Sequence, residues 1–464
     1  MDPIALTAEE IAAVTGGRLA TGDPGRRLER VSIDSRTTAP GDLFVAIRGD
    51  RFDGHAFLGA ALAAGAAGAV VSEAGAGQGA PILIVVEDTT RALQDIAREI
   101  RRRSGAKVVA ITGSAGKTTT KELTAEFLAA RYSVFRNKGN LNNHIGLPLS
   151  LFELRNRPDV AVVELGMNHA GEIRTLVAVA EPDVRVWTNV GDAHLGFFAS
   201  ADAIADAKAE ILERARPRDL LVANADDPRV AARIGRFEGR RITFGLSTAA
   251  DVRAQDVQHL GLDGMTATVV TPRGDERLTT PLLGTGNLAN LLAATAVAAE
   301  LGVPLAVIAE RAATMKPAAH RGELLRLPGG ITLIDDSYNS SPSALQRSLE
   351  TVKLATGSAR KVAILGEMLE LGEHASRLHA ACGEAARDAG LDLLIAVGGD
   401  SARVLADAAR RAGMPATAVS YVATSDEAAE LAMQKIRPGD LVLVKGSRGI
   451  RTDLVVDRLK VEYA

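Results

Sequence analysis

The chain has 464 residues, of which 47% are hydrophobic, 24% charged and 3% aromatic, and its formal net charge is -3. This length exceeds one ordinary hydrophobic core and predicts several domains, and the near-neutral charge excludes a broad basic face for nucleic acid. The single cysteine, Cys382, excludes an internal disulfide and a multi-cysteine metal site and fits a reducing compartment.

The N-terminal segment predicts a short amphipathic helix rather than an export signal. Asp2, Glu9 and Glu10 lie where a secretion signal carries positive charge, and the apolar residues of MDPIALTAEEIAAVTGGRLA have helical spacing. No stretch of the sequence reaches the roughly 18 consecutive apolar residues of a membrane span. We therefore expect a cytoplasmic protein without a membrane span.

Residues 1–105 predict a small α/β unit. The strand candidates LFVAI and PILIVV flank AFLGAALAAGAAGAVV, which we interpret as an alanine-rich helix. Its leucines and valines are spaced for packing, which favours close contact with a sheet over disorder.

Two further units are predicted by apolar runs that alternate with helices. In residues 106–316 the runs are KVVAITG, DVAVVELG, DVRVWTNVG and DLLVANAD, and in residues 317–464 they are ITLIDDSY, KVAILGEM, DLLIAVGGD and DLVLVKGS. Such runs are typical of buried parallel strands, and their alternation with helices predicts doubly wound sheets. Residues 240–282, by contrast, suggest antiparallel hairpin strands. The sequence therefore predicts an α/β protein of three domains in series.

Residues 111–120, ITGSAGKTTT, predict a phosphate-binding loop. The usual G-x-x-x-x-G-K-[ST] loop has a glycine where this chain has Ile111, so the first glycine here is Gly113. A buried strand ends, small residues turn and a helix begins, so backbone N–H groups and the helix N-terminus would face a phosphate. Lys117 would reach the terminal phosphates, and the Thr118 hydroxyl would coordinate magnesium. The alternative is an ordinary strand-to-helix turn, but packing does not explain a lysine between a glycine and three threonines.

Two side chains at predicted strand ends are candidate metal ligands. Glu164 ends the apolar run VAVVE, and His194 follows the next strand in TNVGDAHLGFF. Open parallel sheets place ligands at the carboxyl edge of their strands, and Mg²⁺ takes oxygen donors. A solvated strand end and a structural histidine are the competing interpretations of these two residues.

Lys208 lies on the apolar face of a helix predicted over about residues 201–215. The apolar residues at i−4, i−3, i+3 and i+4 from this lysine are Ile204, Ala205, Ile211 and Leu212. A buried, unpaired ammonium is unfavourable and its pKa falls. Three interpretations remain open: snorkelling to solvent, pairing with a buried carboxylate, and carbamylation by CO₂, which converts a neutral amine into an anion.

Taken together, these residues resemble the Mur ligases of peptidoglycan synthesis. The family's phosphate loop is T-G-[ST]-x-G-K-T, which TGSAGKT at residues 112–118 matches. The segments GNLNNHIGLP, GTGNLANLLAA, DDSYN, GEMLELG and VKGSRG are also similar to family segments, in the same order along the chain. The resemblance covers the whole chain. It implies a small N-terminal α/β domain (1–105) for the UDP-linked substrate, a central P-loop parallel-sheet ATPase domain (106–316) and a C-terminal Rossmann-like domain (317–464) for the incoming dipeptide.

The resemblance also implies roles for individual residues. Glu164 and His194 would bind magnesium, and Lys208 would be the family's carbamylated lysine, which favours carbamylation over snorkelling. Arg321 would swing onto the ATP phosphates, and Asp336 would hold the ribose. The catalytic candidates are Lys117, Lys208, His194 and Arg321, and the metal ligands are Thr118, Glu164, His194 and carbamylated Lys208. The loop residues expected to contact ATP are Thr112, Gly113, Ser114, Ala115, Gly116, Lys117, Thr118 and Thr119.

Further contacts are implied outside the loop. GTGNLANLLAA resembles the family's G-x-H-N-x-x-N segment, so Asn287 and Asn290 would lie near adenine, with Gly286 in place of the usual histidine. VSIDSRTTAPGDLFVAIRGDRFDGHAF is similar to the family's UDP-binding segment and points to Ser35, Arg36 and the neighbourhood of residues 53–55. The other substrate-binding candidates are Asn140, Asn142, Asn143, Tyr338, Asn339 and Lys445.

The activity implied by the resemblance is ATP-dependent amide formation with two Mg²⁺ ions. The GNLNNHIG and DDSYN segments resemble those of the branch that joins D-alanyl-D-alanine to UDP-N-acetylmuramoyl-tripeptide through an acyl phosphate, and this resemblance implies the same reaction here. One alternative is another ligase of the superfamily with a different UDP-muramyl or folate-like acceptor. A second is a P-loop nucleotide-binding regulator without ligation, which leaves Lys208 and Arg321 unexplained. We expect small-molecule substrates, no nucleic-acid partner and a monomer.

Overall fold

The computed structural model describes residues 2–49, 52–77, 79–193 and 195–463. The N-terminal unit has the strands β1 (Leu6–Thr7), β2 (Arg18–Thr21), β3 (Arg27–Leu28), β4 (Val31–Ser32), β5 (Leu43–Val45), β6 (Gly68–Val71) and β7 (Leu83–Val85). Its helices are α1 (Ala8–Thr15), α2 (Leu58–Ala63) and α3 (Thr89–Ser104). The main sheet has the order β2-β7-β6-β5-β4 and is parallel except between β2 and β7.

The alanine-rich segment of this unit does not form one helix, so that interpretation is wrong. Helix α2 ends at Ala63, and the backbone at Gly65 has a φ of +97°, which a helix cannot continue. The residues that follow, Gly68–Val71, form the buried strand β6 between β5 and β7. The β-branched Val70 and Val71 fit a sheet interior, so tertiary pairing overrides the helix propensity of the alanines.

The central unit contains the strands β8 (Lys107–Thr112), β9 (Val134–Arg136), β10 (Val160–Glu164), β11 (Val184–Trp187), β12 (Leu220–Asn224), β13 (Arg240–Gly245), β14 (Val252–His259), β15 (Met265–Thr271) and β16 (Gly274–Thr280). Its helices are α4 (Lys117–Leu128), α5 (Gly146–Leu151), α6 (Glu172–Ala180), α7 (Ala201–Ala209), α8 (Pro228–Ala231), α9 (Thr285–Glu300) and α10 (Leu305–Ala313).

The central sheet has the strand order β16-β15-β14-β13-β12-β11-β8-β10-β9. It is parallel from β9 to β14, and only the pairings of β15 with β14 and β16 are antiparallel. The expected hairpin character of residues 240–282 therefore holds for β14 to β16 and is wrong for β13, which extends the parallel sheet. Between β10 and β11 the chain crosses β8, so the carboxyl ends of these three strands form the switch point where open α/β sheets bind ligands.

The C-terminal unit contains the strands β17 (Glu323–Leu327), β18 (Ile331–Asp336), β19 (Arg360–Gly366), β20 (Leu393–Val397), β21 (Val419–Val422) and β22 (Asp440–Lys445). Its helices are α11 (Pro342–Leu354), α12 (Ala375–Asp388), α13 (Asp400–Arg411), α14 (Ser425–Lys435) and α15 (Asp453–Glu462). The sheet order is β17-β18-β22-β19-β20-β21, and all neighbours except β17 and β18 are parallel. The aliphatic strands are almost wholly buried between the helices, as expected for a parallel sheet covered on both faces.

Two features of the chain bear on the site. Helix α9 is buried on nearly all sides and packs against α4, which begins directly after the phosphate loop. Asp336 at the end of β18 is in register with Lys445 at the end of β22, so both face the central unit from the same sheet edge. No helix in the described part of the chain is both long and apolar enough to cross a membrane.

Candidate active site

A cleft of about 440 Å³ lies between the central and C-terminal units. It is lined by the phosphate loop, the segment after β9, the end of β10, the start of α9 and the loop between β18 and α11. The structure thus brings together sixteen of the predicted site residues among those it describes: Ser114, Ala115, Gly116, Lys117, Thr118, Thr119, Asn140, Asn142, Glu164, Asn287, Asn290, Arg321, Asp336, Tyr338, Asn339 and Lys445.

The short phosphate loop is held by the end of the neighbouring strand. The Asn189 side chain accepts from Ala115 N (2.9 Å) and donates to Ala115 O (3.0 Å), and the Thr188 hydroxyl donates to the same carbonyl (2.7 Å). A Cβ at Gly113 would collide with the Thr188 hydroxyl, so only glycine fits there. Ile111, where the longer motif has glycine, is fully buried in β8 and is part of the sheet core.

The helix after the loop begins without a side-chain cap. Gly116 is the N-cap residue of α4 with a φ of 82°, and no side chain bonds the first-turn N–H groups. These N–H groups have no carbonyl partner within the helix. Lys117 Nζ donates to Gly113 O at 2.8 Å, so its ammonium lies over the loop. Free backbone donors, a helix N-terminus and an ammonium on one concavity form an anion site.

Glu164 places a buried carboxylate on the side of the cleft that the central unit forms. Its carboxylate accepts hydrogen bonds from Thr118 Oγ1 at 2.7 Å and from Asn142 Nδ2 at 2.8 Å. Burial raises the pKa of this carboxyl, but the Lys117 charge and the two hydrogen bonds outweigh burial and leave the pKa below its ordinary value. Glu164 is therefore ionised at neutral pH, beside a threonine hydroxyl.

These two side chains fit a magnesium ion. Mg²⁺ takes oxygen ligands, usually one or two protein groups together with water and substrate phosphates, and the Thr118 hydroxyl and Glu164 carboxylate are such donors. Over the described ranges, no three His, Cys, Asp or Glu side chains converge into a self-sufficient metal centre. His194, the second predicted ligand, lies outside the described residues.

Lys208 is buried as its spacing predicts, with 1% of its surface exposed, so snorkelling is wrong. Helix α7 ends at Ala209 rather than near residue 215, and the 3₁₀ helix Glu210–Leu212 follows. Burial moves the pKa of Lys208 well below its ordinary value, and the nearby Lys117 charge lowers it further while Glu164 opposes the shift. Among the described residues no carboxylate forms an ion pair with Lys208. Burial thus favours the neutral amine over the ammonium at Lys208, although this side chain does not line the cleft.

The C-terminal side of the cleft places arginines over Tyr338. The Arg321 guanidinium carbon lies 4.1 Å from the centre of the Tyr338 ring, and that of Arg448 lies 5.2 Å from it. Arg321 is close enough to Lys117 and Glu164 for its charge to lower the pKa of both. A cation from the C-terminal unit therefore acts on the phosphate-loop side of the cleft.

The Asp336 carboxylate already has partners within its own unit. It accepts hydrogen bonds from Lys445 Nζ at 2.6 Å and from Ser348 Oγ at 2.8 Å. The Lys445 ammonium also donates to Asn339 O at 3.1 Å. Lys445 lines the cleft, but its donors are directed at Asp336 and Asn339, so it orders this edge of the site.

Asn287 and Asn290, which were predicted to lie near adenine, form a chain of hydrogen bonds behind the phosphate loop. Asn290 Oδ1 accepts from Thr120 Oγ1 at 3.3 Å, and Asn290 Nδ2 donates to Asn287 Oδ1 at 3.3 Å. Asn287 Nδ2 in turn donates to Leu283 O at 2.9 Å. A Cβ at Gly116 would collide with the Asn290 amide. Asn290 therefore supports the loop directly, and Asn287 lies one step further along α9.

Several predicted residues lie outside the cleft. Thr112 is buried in β8, where its hydroxyl donates to Leu165 O at 3.0 Å. Asn143 accepts from Gly146 N at 2.7 Å at the start of α5. Gly113 lies behind the loop against Thr188. These residues shape the site rather than line it.

Ser35 and Arg36 belong to a separate region in the N-terminal unit. Arg36 is exposed and forms an ion pair with Asp34 at 2.7 Å. In the same unit, His55 Nδ1 is 2.6 Å from the Asp53 carboxylate, and Ser72 N donates to His55 Nε2 at 2.9 Å. The His55 side chain is thus largely buried, with a partner at each ring nitrogen.

Sequence reasoning missed residues that position the site. Asn189 follows β11 in TNVG, a polar residue at a buried strand end, which is the same signal that identified Glu164. Lys121 is fully buried and donates to Asn137 O at 2.7 Å, while Asn137 Oδ1 accepts from Glu164 N at 3.1 Å. No pattern in the sequence marks this second connection, because it joins three separate segments.

Comparison with known proteins gives a consistent result along the chain. Three family models match: Mur ligase family, catalytic domain (residues 27–101), Mur ligase middle domain (111–298), and Mur ligase, glutamate ligase domain (320–448). The UDP-N-acetylmuramoyl-tripeptide--D-alanyl-D-alanine ligase of Bacillus subtilis is 31% identical over 98% of both chains. The enzyme of that name from Escherichia coli is 35% identical over 86% of this chain and 87% of its own.

Solved structures agree with these matches. A crystal structure of MurF from Acinetobacter baumannii covers 99% of this chain and 100% of its own with a TM-score of 0.90 at 30% identity. MurF from Thermotoga maritima in complex with ADP covers 94% and 98% with a TM-score of 0.83 at 29% identity. The predicted three-domain α/β architecture is confirmed.

Proposed function

Because the chain belongs to the Mur ligase family, we propose that it joins D-alanyl-D-alanine to UDP-N-acetylmuramoyl-tripeptide in an ATP-dependent reaction. The carboxylate that ends the tripeptide attacks the γ-phosphate of ATP, which gives an acyl phosphate and releases ADP. The dipeptide amine then displaces phosphate and loses a proton, which leaves an amide. The observation that carries the proposal is the convergence of the phosphate loop with Arg321 and Tyr338 on one cleft.

Charge neutralisation is the main requirement of the first step, because two anions must approach each other. The first-turn N–H groups of α4 and the Lys117 ammonium would hold the β- and γ-phosphates. Arg321 would add a second cation from the C-terminal unit, where its stacking on Tyr338 orients the guanidinium. The reacting groups are then brought together by two separate units, so positioning supplies much of the remaining rate enhancement.

Thr118 and Glu164 are the residues that would hold Mg²⁺, since their oxygen atoms are adjacent in the cleft. A magnesium ion bound there supplies further neutralisation of phosphate charge. We propose two such ions, with His194 and carbamylated Lys208 serving the second. The lowered pKa of Lys208 supports carbamylation, because only the neutral amine attacks CO₂ and the proton lost leaves a carbamate anion.

The remaining contacts are assigned by unit. Ser35 and Arg36, in the unit formed by residues 1–105, would bind the UDP moiety. Asn140 and Asn142 would contact the muramoyl peptide from the central unit (106–316). The C-terminal unit (317–464) would bind the dipeptide near Tyr338 and Asn339, while Asp336 would hold the ribose, with Lys445 ordering that edge. Because these substrates are nucleotide-linked precursors, we propose a cytoplasmic site of action.

Phosphate release on mixing the protein with ATP, Mg²⁺, UDP-N-acetylmuramoyl-tripeptide and D-alanyl-D-alanine tests the function. We expect release only when both co-substrates are present, with a product whose mass equals the tripeptide precursor plus the dipeptide less one water. Lys117→Ala should abolish release, and Lys107→Ala, an exposed lysine at the start of the same strand β8, is the matched control. Release without both co-substrates, or ligation of a single amino acid instead of the dipeptide, would contradict the proposal.

A further inference from the structure

Arg347 presents a guanidinium to the cleft that none of the roles above uses. The residue lies on α11, lines the cleft and is half-buried. Within the described part of the chain its guanidinium forms no hydrogen bond and no ion pair. Burial lowers the pKa of Arg347, while the more distant charges of Glu350 and Asp336 oppose the shift. A partly desolvated cation without a partner in the protein is costly, so a ligand is its natural partner.

Gly286 provides the space that the Arg347 side chain occupies. A Cβ added at Gly286 would lie 3.1 Å from Arg347 Cδ and 3.2 Å from its Nε, and no other atom comes near it. Gly286 is in the first turn of α9 and has no positive φ, so the backbone does not require glycine. The missing side chain is therefore explained by the arginine of the C-terminal unit that packs there.

The position of this contact along α9 separates it from the phosphate site. Asn290 touches the phosphate loop, whereas Gly286 comes four residues earlier, which is just over one helical turn or about 6 Å along the axis. Leu283, Gly284 and Thr351 line the same end of the cleft. The guanidinium thus lies beyond the phosphates, in the part of the cleft that a nucleoside would occupy.

We propose that the Arg347 guanidinium stacks on the purine base of ATP and forms one wall of the base pocket, beside the start of α9. A planar guanidinium stacks on aromatic faces, and its stem already packs over Gly286. The base would then be held between the central and C-terminal units. This inference rests on the ATP site of the proposed function and adds a residue that contributes to base recognition.

Calorimetric titration with ADP tests the inference without requiring ligation. We expect Arg347→Ala to weaken ADP binding by about 5- to 30-fold, the range of a desolvated cation–π contact. Arg347→Lys should lose most of this affinity, because its ammonium keeps the charge but lacks the planar group. Arg403→Ala is the matched control: that guanidinium lies 4.7 Å from the Tyr421 ring, outside the cleft, and the variant should bind ADP as the unaltered protein does.

Inorganic tripolyphosphate distinguishes a base contact from a phosphate contact. Its affinity should be the same for the unaltered protein and for Arg347→Ala, and an equal loss for ADP and tripolyphosphate would overturn the inference. Unchanged ADP affinity in Arg347→Ala would overturn it as well. If the unaltered protein did not bind ADP at all, the proposed function would fail instead.

Gly286→Ala adds a test of the packing. The added Cβ would press on the stem of Arg347, so we expect Gly286→Ala to bind ADP more weakly than the unaltered protein. The double variant should bind ADP no more weakly than Arg347→Ala alone. Additive effects of the two substitutions would contradict a shared site. Thermal unfolding of each variant verifies that the fold is retained.

Discussion

On the central side of the cleft, hydrogen bonds join the segments that follow neighbouring strands, whereas the cations of the C-terminal side include arginines that stack on a tyrosine and one lysine in an ion pair. On the central side, Glu164 bonds to Thr118 and Asn142, and Asn189 fixes Ala115. On the C-terminal side, Arg321 stacks on Tyr338 through a long, rotatable side chain. The difference indicates that the phosphate and metal groups are pre-organised, while the groups that complete the site can be repositioned.

Among the substitutions that test this comparison, Lys208→Ala should lower kcat the most, because it removes a group from the central side of the cleft. We expect kcat to fall by about 10³ or more, because the carbamate that would hold the second Mg²⁺ is lost. Acetate or propionate should partly restore activity by occupying the space left by the side chain. Lys208→Met is the control, since it fills that space and cannot be carbamylated, so it should be inactive and resist rescue. Full activity of the alanine variant would rule out the proposed role.

Arg321→Ala removes the cation of the C-terminal side. We expect a fall in kcat of about 10²-fold, as for loss of one group that stabilises transition-state charge. ADP affinity should change much less, because the phosphate loop and Lys117 remain. Steady-state phosphate release and ADP titration measure the two quantities, with Arg403→Ala as the control. If kcat and ADP affinity fell by the same factor, Arg321 would contribute to nucleotide binding itself, and the expected difference between the two sides of the cleft would be wrong.

Asn189→Ala tests whether pre-organisation of the loop depends on the neighbouring strand. Ala115 N would lose its side-chain partner, while Ala115 O would keep only the Thr188 hydroxyl, and we expect the free energy of unfolding to fall by about 1–3 kcal/mol. Weaker ADP binding should accompany this loss. Asn156→Ala, an exposed asparagine outside the cleft, provides the control. Denaturant unfolding with no change in stability would mean that the loop holds its shape by itself.

Glu164→Gln is expected to have the smallest effect, a loss of stability that is present at neutral pH and disappears in acid. The pKa of Glu164 is held below its ordinary value of 4.5, so its ionised form stabilises the fold above that pH. That contribution is lost as the pH falls through the lowered pKa. The free energy of unfolding of the unaltered protein should therefore decline more steeply on acidification than that of the variant. Glu238→Gln, at an exposed position, should leave the slope unchanged.

The sequence predicted the central side well because its residues follow strands directly. TGSAGKT and Glu164 lie at the ends of buried apolar runs. Because such runs are typical of parallel strands, the sequence predicts that both lie at the carboxyl edge of the sheet. The burial of Lys208 followed from helical spacing. The early end of α7 did not, because Glu210 accepts hydrogen bonds from Gly171 N and Arg174 N at the start of another helix. Such a long-range contact leaves no periodic signal.

Features of the C-terminal side of the cleft and of the N-terminal unit could not be predicted from the sequence alone. Arg347 meets Gly286 only because two units pack together, and its position on α11 carries no motif. The alanine-rich segment was misassigned since small residues suit both a helix and a buried strand, and only the pairing of β6 decides between them. Family resemblance supplied Asn287 and Asp336, whose residue types alone indicate no chemistry.

The ion pair between Asp336 and Lys445 has a consequence for the approach of ligands. It leaves Lys117, Arg321, Arg347 and Arg448 as the other cations that line the cleft, in a chain whose formal net charge is -3. A local positive field of this kind raises the encounter rate of multiply charged anions and is screened by salt over a Debye length of about 8–10 Å. Nucleotide association should therefore slow as ionic strength rises, although the molecule as a whole repels anions.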